Sequence, residues 1–216
     1  MTGTEIIAAF REENPEITSR VVTDAVLTTW LKEGNMNVAT RCRLIVGDGT
    51  FNSVVNVSRY DMTNEIEKFF DIDEIPGGGV SYDDKRLAHT TIAELDRRTP
   101  SWRTASSGTP RQYYRRGQYI YFEKPPDAVN EIKVYAVLTP DDFTGAETEP
   151  FNQLTYLRPF HYSLVFYLTM RAKMKVGKDV EQASARAEFE GYINWVKKEI
   201  GGGKYGTIQF VPQNKL

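Results

Sequence analysis

The feature that most constrains the fold of this 216-residue chain is a pair of long helical patterns near its end. The first runs from Gln153 to Val176 with apolar side chains on two faces, and Gly177 follows it. The second has one clean apolar stripe and ends at a triple glycine. A helix that is apolar on two faces lies centrally in a core or contacts a neighbouring subunit. We therefore predict helices at 153–176 and 180–200, with five core side chains: Leu164, Leu168, Phe189, Ile193 and Val196.

The N-terminal third also has helical spacing. Apolar residues predict a first helix at 4–13, which Pro15 ends. Thr23 can cap a second helix at 23–33, whose apolar face includes Trp30 as a core residue. The Gly34-Asn35 pair interrupts that pattern, and a third helix is predicted at 36–45.

The middle of the chain, 51–138, changes to the two-residue period of strands. Val54 to Arg59 alternates and is predicted to be one strand, and Lys68 to Ile75 another. Gln118 to Lys124 and Glu131 to Leu138 are separated by a Pro-Pro-Asp connector. We predict that these last two strands pair with each other in an antiparallel hairpin.

Trp102 to Pro126 is the best-marked turn and strand of this middle part. Gly108-Thr109-Pro110 interrupts regular secondary structure, because glycine permits unusual φ values and proline disfavours a helical conformation of the residue before it. Trp102 and Tyr113 are predicted to be buried where this element docks on the long C-terminal helices. Its exposed rim could contact a protein, bind single-stranded nucleic acid or simply be solvated. The candidate contact residues in this rim are Arg111, Tyr114, Arg115 and Arg116.

The stretch 204–216, after Gly201-Gly202-Gly203, is too short to fold alone. Its β-prone residues could pair as one strand, and the glycines would act as a hinge. We predict an arm that docks on another chain; the alternative is an ordinary frayed terminus. The candidate contact residues of the arm are Tyr205, Ile208, Phe210 and Val211.

Composition narrows the class of protein. The formal net charge of −2 argues against a dedicated duplex-DNA binder, which usually has a strongly basic face. The single cysteine, Cys42, excludes an internal disulfide and favours a reducing compartment. Apolar runs fall short of the roughly 20 residues that span a bilayer, so we expect no membrane partner.

The sequence offers few residues for catalysis, and we predict no cofactor and no metal site. His89 and His161 lack metal-ligand spacing, and Gly77-Gly78-Gly79 lacks the Lys-Ser/Thr pair of a phosphate loop. Asp71 and Asp73 would share one face of a strand, where they could hold a divalent cation or do acid–base work. A solvated strand face is the simpler interpretation of these two acids.

An ordered series of motifs runs through Ala25 to Ile200. Its members are Trp30-Leu31, then Trp102 before Gly108-Thr109-Pro110-Arg111-Gln112-Tyr113, Pro125-Pro126-Asp127, a strand reaching Tyr135 and Pro140, and Pro159-Phe160-His161. This series resembles the head–tail adaptor (connector) proteins of tailed bacteriophages. The helix after it is rich in alanine and glutamate, as in that family.

The patterns and the resemblance together imply a mainly helical α+β fold. It would have a helical bundle core, a small antiparallel β element and a flexible C-terminal arm. The chain would form one adaptor domain, 1–203, followed by the docking arm 204–216. The glycine loop at 77–79 and its surroundings are longer than the resemblance leads us to expect.

The resemblance also implies a structural role without catalysis. Family members form a homo-oligomeric ring, commonly of twelve copies, that binds the portal protein on one side and tail or stopper proteins on the other. Packaged double-stranded DNA passes through the lumen without sequence-specific binding. The protein would assemble in the host cytoplasm and lie at the head–tail junction of the virion. The alternative is a phage-encoded nucleic-acid-binding or metal-dependent accessory enzyme that uses Asp71 and Asp73 or the Arg111–Arg116 cluster.

Overall fold

The computed structural model describes residues 1–74, 78–143, 148–177 and 179–201. The predicted arm at 204–216 and Gly77 of the glycine loop lie outside these residues. The α-helices are α1 (Gly3–Glu13), α2 (Asp24–Cys42), α3 (Met62–Glu65), α4 (Ile92–Arg98), α5 (Tyr162–Val176) and α6 (Asp179–Gly201). The strands are β1 (Val46–Asn52), β2 (Arg59–Asp61), β3 (Phe69–Ile72), β4 (Val80–Tyr82), β5 (Lys85–Arg86), β6 (Ala88–His89), β7 (Gln112–Arg116), β8 (Tyr119–Phe122) and β9 (Glu131–Leu138).

The chain divides into two compact units. The helical unit contains Met1–Ile45 and the described residues from Thr139 onward, and the β unit contains Val46–Leu138. The fold is α+β, but the predicted helical bundle core with a small β element is wrong. The middle of the chain builds two sheets, and its alternating apolar residues, such as Ile120 and Ile132, are fully buried within a core of their own.

Helix α5 is the central helix of the helical unit, because it packs against α1, α2 and α6. Contact on several sides explains why its sequence is apolar on more than one face. Leu164, Val165 and Leu168 are completely buried. The helix ends at Gly177, whose φ of 72° is the left-handed conformation that glycine adopts without strain.

Helix α2 continues through Gly34-Asn35, where the sequence predicted a break. The missing side chain of Gly34 lets α5 approach closely: a Cβ atom there would lie 2.7 Å from Tyr167 Cδ1 and 3.2 Å from Leu164 Cδ2. The side-chain oxygen of buried Asn35 accepts a hydrogen bond of 3.0 Å from the N–H of Phe151. Both residues that resemble helix breakers therefore serve tertiary contacts, which compensate for their poor helix propensity.

This arrangement predicts opposite effects for the same substitution at two helical glycines. Gly34→Ala should lower the free energy of unfolding by about 1–2 kcal/mol, because overpacking against Tyr167 outweighs the gain in helix propensity. At Gly191 in α6, a Cβ atom would meet no atom of the described residues within 4 Å. Gly191→Ala should therefore raise stability by about 0.5–1 kcal/mol. Urea unfolding of both variants measures the difference, and equal effects would contradict the close approach at Gly34.

The α-helical part of the 153–176 pattern begins only at Tyr162. Phe151, Asn152 and Gln153 have φ values of 55°, 56° and 57°, so the chain turns sharply there. Thr155–Phe160 is then a 3₁₀ helix that contains Pro159. Proline has no N–H to donate, so a regular α-helix is disfavoured through this segment.

Strand β9 is the centre of the first sheet. It pairs with β1 along one edge and with β3 and β4 along the other, all antiparallel. Strand β5 extends the sheet beyond β4. Since both edges of β9 are occupied, the predicted hairpin between Gln118–Lys124 and Glu131–Leu138 is wrong. Strand β8 instead lies in the second sheet, which has the order β2-β8-β7-β6.

The alternating stretch Val54 to Arg59 is also not one strand, and only its end enters β2. The hydroxyl of Tyr60 explains why. It accepts a hydrogen bond from the N–H of Val54 at 3.1 Å and donates to the carbonyl of Val57 at 2.8 Å. The backbone turns around that hydroxyl, with Asn56 at a φ of 64°.

Aromatic rings connect the two sheets inside the β unit. Tyr60 lies 5.5 Å from Phe51 of the first sheet and 5.4 Å from Phe122 of the second, between ring centroids. Phe122 in turn contacts Tyr82 of the first sheet edge-on at 6.1 Å. These rings form the core that the β unit builds from its own strands.

Candidate interaction surfaces

Tyr114, Arg115 and Arg116 of the predicted arginine–tyrosine rim lie on β7, and Arg111 directly precedes this strand. Strand β7 forms a hairpin with β8 that is closed at Gly117. Side chains alternate between the two faces of a strand, so Tyr113 and Arg115 share one face and Tyr114 and Arg116 the other. Tyr114 is buried rather than exposed: it stacks on Tyr121 with the ring centroids 4.8 Å apart.

The three arginines of this rim do not form one cluster. Arg115 pairs with Asp71 and donates hydrogen bonds to the carbonyls of Gly117 at 2.7 Å and Phe70 at 3.2 Å. It therefore serves contacts inside the β unit. Arg111 and Arg116 are exposed, but they are separated along the strand by about 17 Å. The rim thus offers two separate cations instead of a basic patch.

Trp102 lies partly exposed on the β unit, contrary to the expectation that it would be in the core. Its indole packs edge-on against Tyr114 at 5.5 Å and donates a hydrogen bond of 2.8 Å to Asp96. The guanidinium of Arg103 lies over the indole at 4.6 Å and also donates to Asp96. The hydrogen bonds from Arg103 and Trp102 lower the pKa of Asp96.

Tyr113 is buried beneath a polar groove of the β unit. Its hydroxyl donates to Glu74 at 3.4 Å, and Glu74 also lies 3.2 Å from His89. Burial, and then the adjacent Glu74, raise the pKa of Tyr113. Arg86 completes the polar lining of this groove, whose volume is about 460 Å³.

The acidic pair of the alternative hypothesis does not share an open face. Asp71 pairs with Arg115, and Asp73 is only 1 % exposed. In the described part of the chain, no three His, Cys, Asp or Glu side chains are grouped as a metal site would require. Burial raises the pKa of the Cys42 thiol to about 11, so this cysteine is protonated at neutral pH.

The predicted core residues of the helical unit are all largely or fully buried. Trp30 is 9 % exposed, and the guanidinium of Arg171 lies 5.6 Å from the centre of its ring. The remaining predicted core residues have at most 1 % of their surface exposed: Leu164, Leu168, Phe189, Ile193 and Val196.

His161 is a buried polar residue of the same unit. Its Nδ1 atom accepts a hydrogen bond of 2.8 Å from the amino group of Met1. No hydrogen-bond partner for its Nε2 atom lies among the described residues. Burial, and then the positive amino group, lower the pKa of His161 to about 4, so its imidazole is neutral at pH 7.

Five aromatic side chains form a continuous row that runs from the surface of the helical unit to the buried ring of Phe160, and we call it the aromatic row. Neighbouring ring centroids are 5.0–5.7 Å apart. Tyr162 at one end of the row is 36 % exposed and Trp195 is 40 % exposed, whereas Phe160 at the other end is buried. In order of contact, its members are Tyr162, Phe166, Tyr192, Trp195 and Phe160.

Sequence reasoning missed the aromatic row as a surface. The spacing of Tyr162 and Phe166 by four residues, and of Tyr192 and Trp195 by three, could have indicated it, since such pairs share a helix face. The hydroxyl of Tyr192 donates to the carbonyl of Pro159 at 3.1 Å, which fixes the ring's position. Exposed tyrosine and tryptophan held in place are typical of protein–protein contacts.

The model of one protein family, described as SU10 adaptor protein, matches residues 1–201. This range includes every described helix and strand of both units. The chain belongs to the SU10 adaptor protein family. The resemblance to bacteriophage head–tail adaptors is thereby confirmed, and it extends beyond Ala25–Ile200, where the motifs lie. No curated protein matches the sequence.

As an SU10 adaptor family member, the chain is a structural component of a bacteriophage virion. An adaptor acts by joining other proteins, so its surfaces matter more than a reaction centre. Of the helices that the structure describes, none has the length and apolar character to cross a membrane. The candidate contacts in the arm, Tyr205, Ile208, Phe210 and Val211, fall outside the described residues.

Proposed function

We propose that this chain is the subunit of a head–tail connector ring, which joins the portal protein to tail or stopper proteins. The family match over residues 1–201 carries this proposal. Packaged double-stranded DNA passes through the lumen of the ring, and the ring has about twelve copies, as the resemblance to phage adaptors implies. The role is structural, at the head–tail junction.

The aromatic row supports assembly with a second copy of the chain. It spans α5 and α6, two helices of one unit, and presents partly exposed rings in a fixed arrangement. In a ring of identical subunits, each copy presents one surface to one neighbour and a different surface to the other, so the row would be one of these two surfaces. Large rigid aromatic side chains lose little entropy when they become buried in such a contact. We therefore assign the row to the contact between neighbouring copies.

Electron microscopy of particles that contain the protein tests the proposed function directly. The expected result is a ring of this chain between the portal and the tail. Density for the protein elsewhere in the particle, or its absence from purified particles, would contradict the proposal.

Replacing Tyr162 and Trp195 together with alanine should weaken assembly by at least about tenfold, because contact residues of this type dominate interface energies. The two side chains are partly exposed, so the monomer should remain folded. Size exclusion with light scattering, in the presence of portal protein, measures the loss of the assembled species. Phe70→Ala is the matched control, since Phe70 is 44 % exposed in the β unit. Equal assembly of both variants would exclude the aromatic row from the interface.

A further inference from the structure

Strand β1 forms one edge of the first sheet. Among the described strands, only β9 pairs with it, from Val46 opposite Val137 to Asn52 opposite Glu131. An edge strand carries a row of N–H and C=O groups on its outer side, where another strand can bind. The direction of those groups determines whether β1 can accept one.

The hydrogen bonds of Tyr135 give that direction. Tyr135 lies opposite Asp48 in the register of β1 and β9. Its N–H donates to Gly79 at 2.9 Å and its carbonyl accepts from Asp73 at 2.8 Å, both on the far side of β9. Asp48 and Tyr135 are therefore a pair without mutual hydrogen bonds, and the peptide groups of Asp48 point away from β9.

The same alternation applies to Thr50 and Asn52. Their peptide groups point outward like those of Asp48, and their side chains are exposed. The edge thus presents three residues with donors and acceptors at the spacing of a β ladder. Many natural edge strands are protected by lysine or proline. Strand β1, with the sequence Val-Gly-Asp-Gly-Thr-Phe-Asn, contains neither.

Two glycines fix the position of this edge. A Cβ atom at Gly47 would lie 2.9 Å from Leu138 Cδ1, and one at Gly49 would lie 2.5 Å from Ile66 Cγ1. The side chains of Leu138 and Ile66 therefore pack directly on the β1 backbone. On the other face, Asp48 forms an ion pair of 3.0 Å with Lys133 of β9. The strand is held in place before any partner arrives.

The sequence of this chain contains a suitable occupant outside the described residues. Thr207-Ile208-Gln209-Phe210-Val211 is β-prone, follows Gly201-Gly202-Gly203, and precedes Pro212. Five extended residues span about 17 Å, and the seven residues of β1 about 23 Å. Asp48 of this edge is already paired with Lys133, and the stretch 204–216 contains no acidic residue that would repel its carboxylate.

We propose that residues 207–211 of one copy add as a strand to the open edge of β1 of a neighbouring copy. This inference rests on the proposed connector ring and names the acceptor of its arm. Each copy carries both the edge and the segment, and a head-to-tail contact of this kind closes a ring when it repeats by rotation. Main-chain hydrogen bonds supply the affinity of strand addition.

Disulfide cross-linking in particles assembled with portal protein tests the contact. The starting variant is Cys42→Ala, which removes the native thiol. Asn52→Cys is then combined with a single cysteine at each of positions 207–211 in turn. Mild oxidation should give interchain multimers on non-reducing gels for at least one of these positions. Arg86→Cys, on the exposed β5 at another edge of the same sheet, is the matched control and should give none.

Two further variants separate main-chain from side-chain effects at the edge. Thr50→Pro removes one outward N–H without removing a hydrogen bond to β9, and should lower the yield of cross-linked multimers at least tenfold. Thr50→Val keeps the N–H and should leave the yield unchanged. Circular dichroism verifies that both variants are folded.

The outcomes distinguish this inference from the proposed function. A disulfide within one chain would show that the segment folds back on its own edge, and would overturn the inference. A ring seen by microscopy without any β1 cross-link would overturn the inference, because the arm then binds another partner, but would leave the connector function intact. The absence of a ring would overturn the connector function itself.

Discussion

Phe189→Ala should lower the free energy of unfolding of the helical unit by about 3–5 kcal/mol, the usual cost of removing a buried aromatic ring. Phe189 is 1 % exposed and lies edge-on to Tyr167, with ring centroids 5.5 Å apart. The guanidinium of Arg41 lies 5.7 Å from the centre of the same ring. The substitution would therefore leave a cavity where α2, α5 and α6 meet. Urea unfolding followed by far-ultraviolet circular dichroism measures the loss.

Phe189→Leu is the control for this prediction. Leucine fills most of the cavity, so the variant should lose less than half as much stability as Phe189→Ala. Arg41 also binds Glu190 through two hydrogen bonds of 3.0 and 2.6 Å, and neither substitution removes these atoms. A loss below about 1 kcal/mol for Phe189→Ala would show that this helix packing is wrong.

Acidification should destabilise the helical unit through His161. Its pKa is about 4 in the folded protein and 6.5 in the unfolded chain, so the unfolded chain binds more protons between these values. Stability should therefore fall as the pH drops from 6.5 to 4, by about 3 kcal/mol in total. Above pH 6.5 both states are neutral at this residue, and its contribution to the pH dependence disappears.

His161→Asn isolates this effect from the carboxylates that also titrate in acid. Asparagine cannot be protonated in this range, yet its side-chain oxygen can accept the hydrogen bond from the amino group of Met1. The charged groups around the imidazole, namely that amino group, Glu149 and Arg158, remain in the variant. Urea unfolding at pH 7 and pH 4.5 should show a smaller loss for the variant. Parallel losses would exclude His161 as the cause.

Local sequence patterns predicted which segments form helices and strands better than they predicted which strands pair with each other. The segments 118–124 and 131–138 both contain strands, yet they lie in different sheets, because β1, β3 and β4 already occupy both edges of β9. No property of the short connector between them encodes that competition. The prediction of one strand from Val54 to Arg59 was wrong for a related reason. The hydroxyl of Tyr60 forms hydrogen bonds with the backbone groups that a neighbouring strand would need.

The candidate interaction residues show the same limit, namely that local sequence patterns do not predict tertiary contacts. Arginine is a residue type that is common at interfaces. The pairing of Arg115 with Asp71, however, depends on how β7 and β3 are placed in the β unit. The aromatic row depends on the packing of α5 against α6, which brings Phe166 within 5.3 Å of Tyr192 across a long sequence separation. Spacing within each helix could indicate either half of the row but not their contact.

The sequence by itself determined the family, through its ordered motifs, and the existence of the helices around 162–176 and 179–201 through their apolar spacing. Such signals are local, because a helix or a turn needs only the residues of its own segment. Only the tertiary structure decided that α2 continues at Gly34, that β8 and β9 belong to different sheets, and that β1 keeps an open edge. Each of these depends on which distant side chains and strands compete for the same backbone, and a pattern read along the chain does not contain that competition.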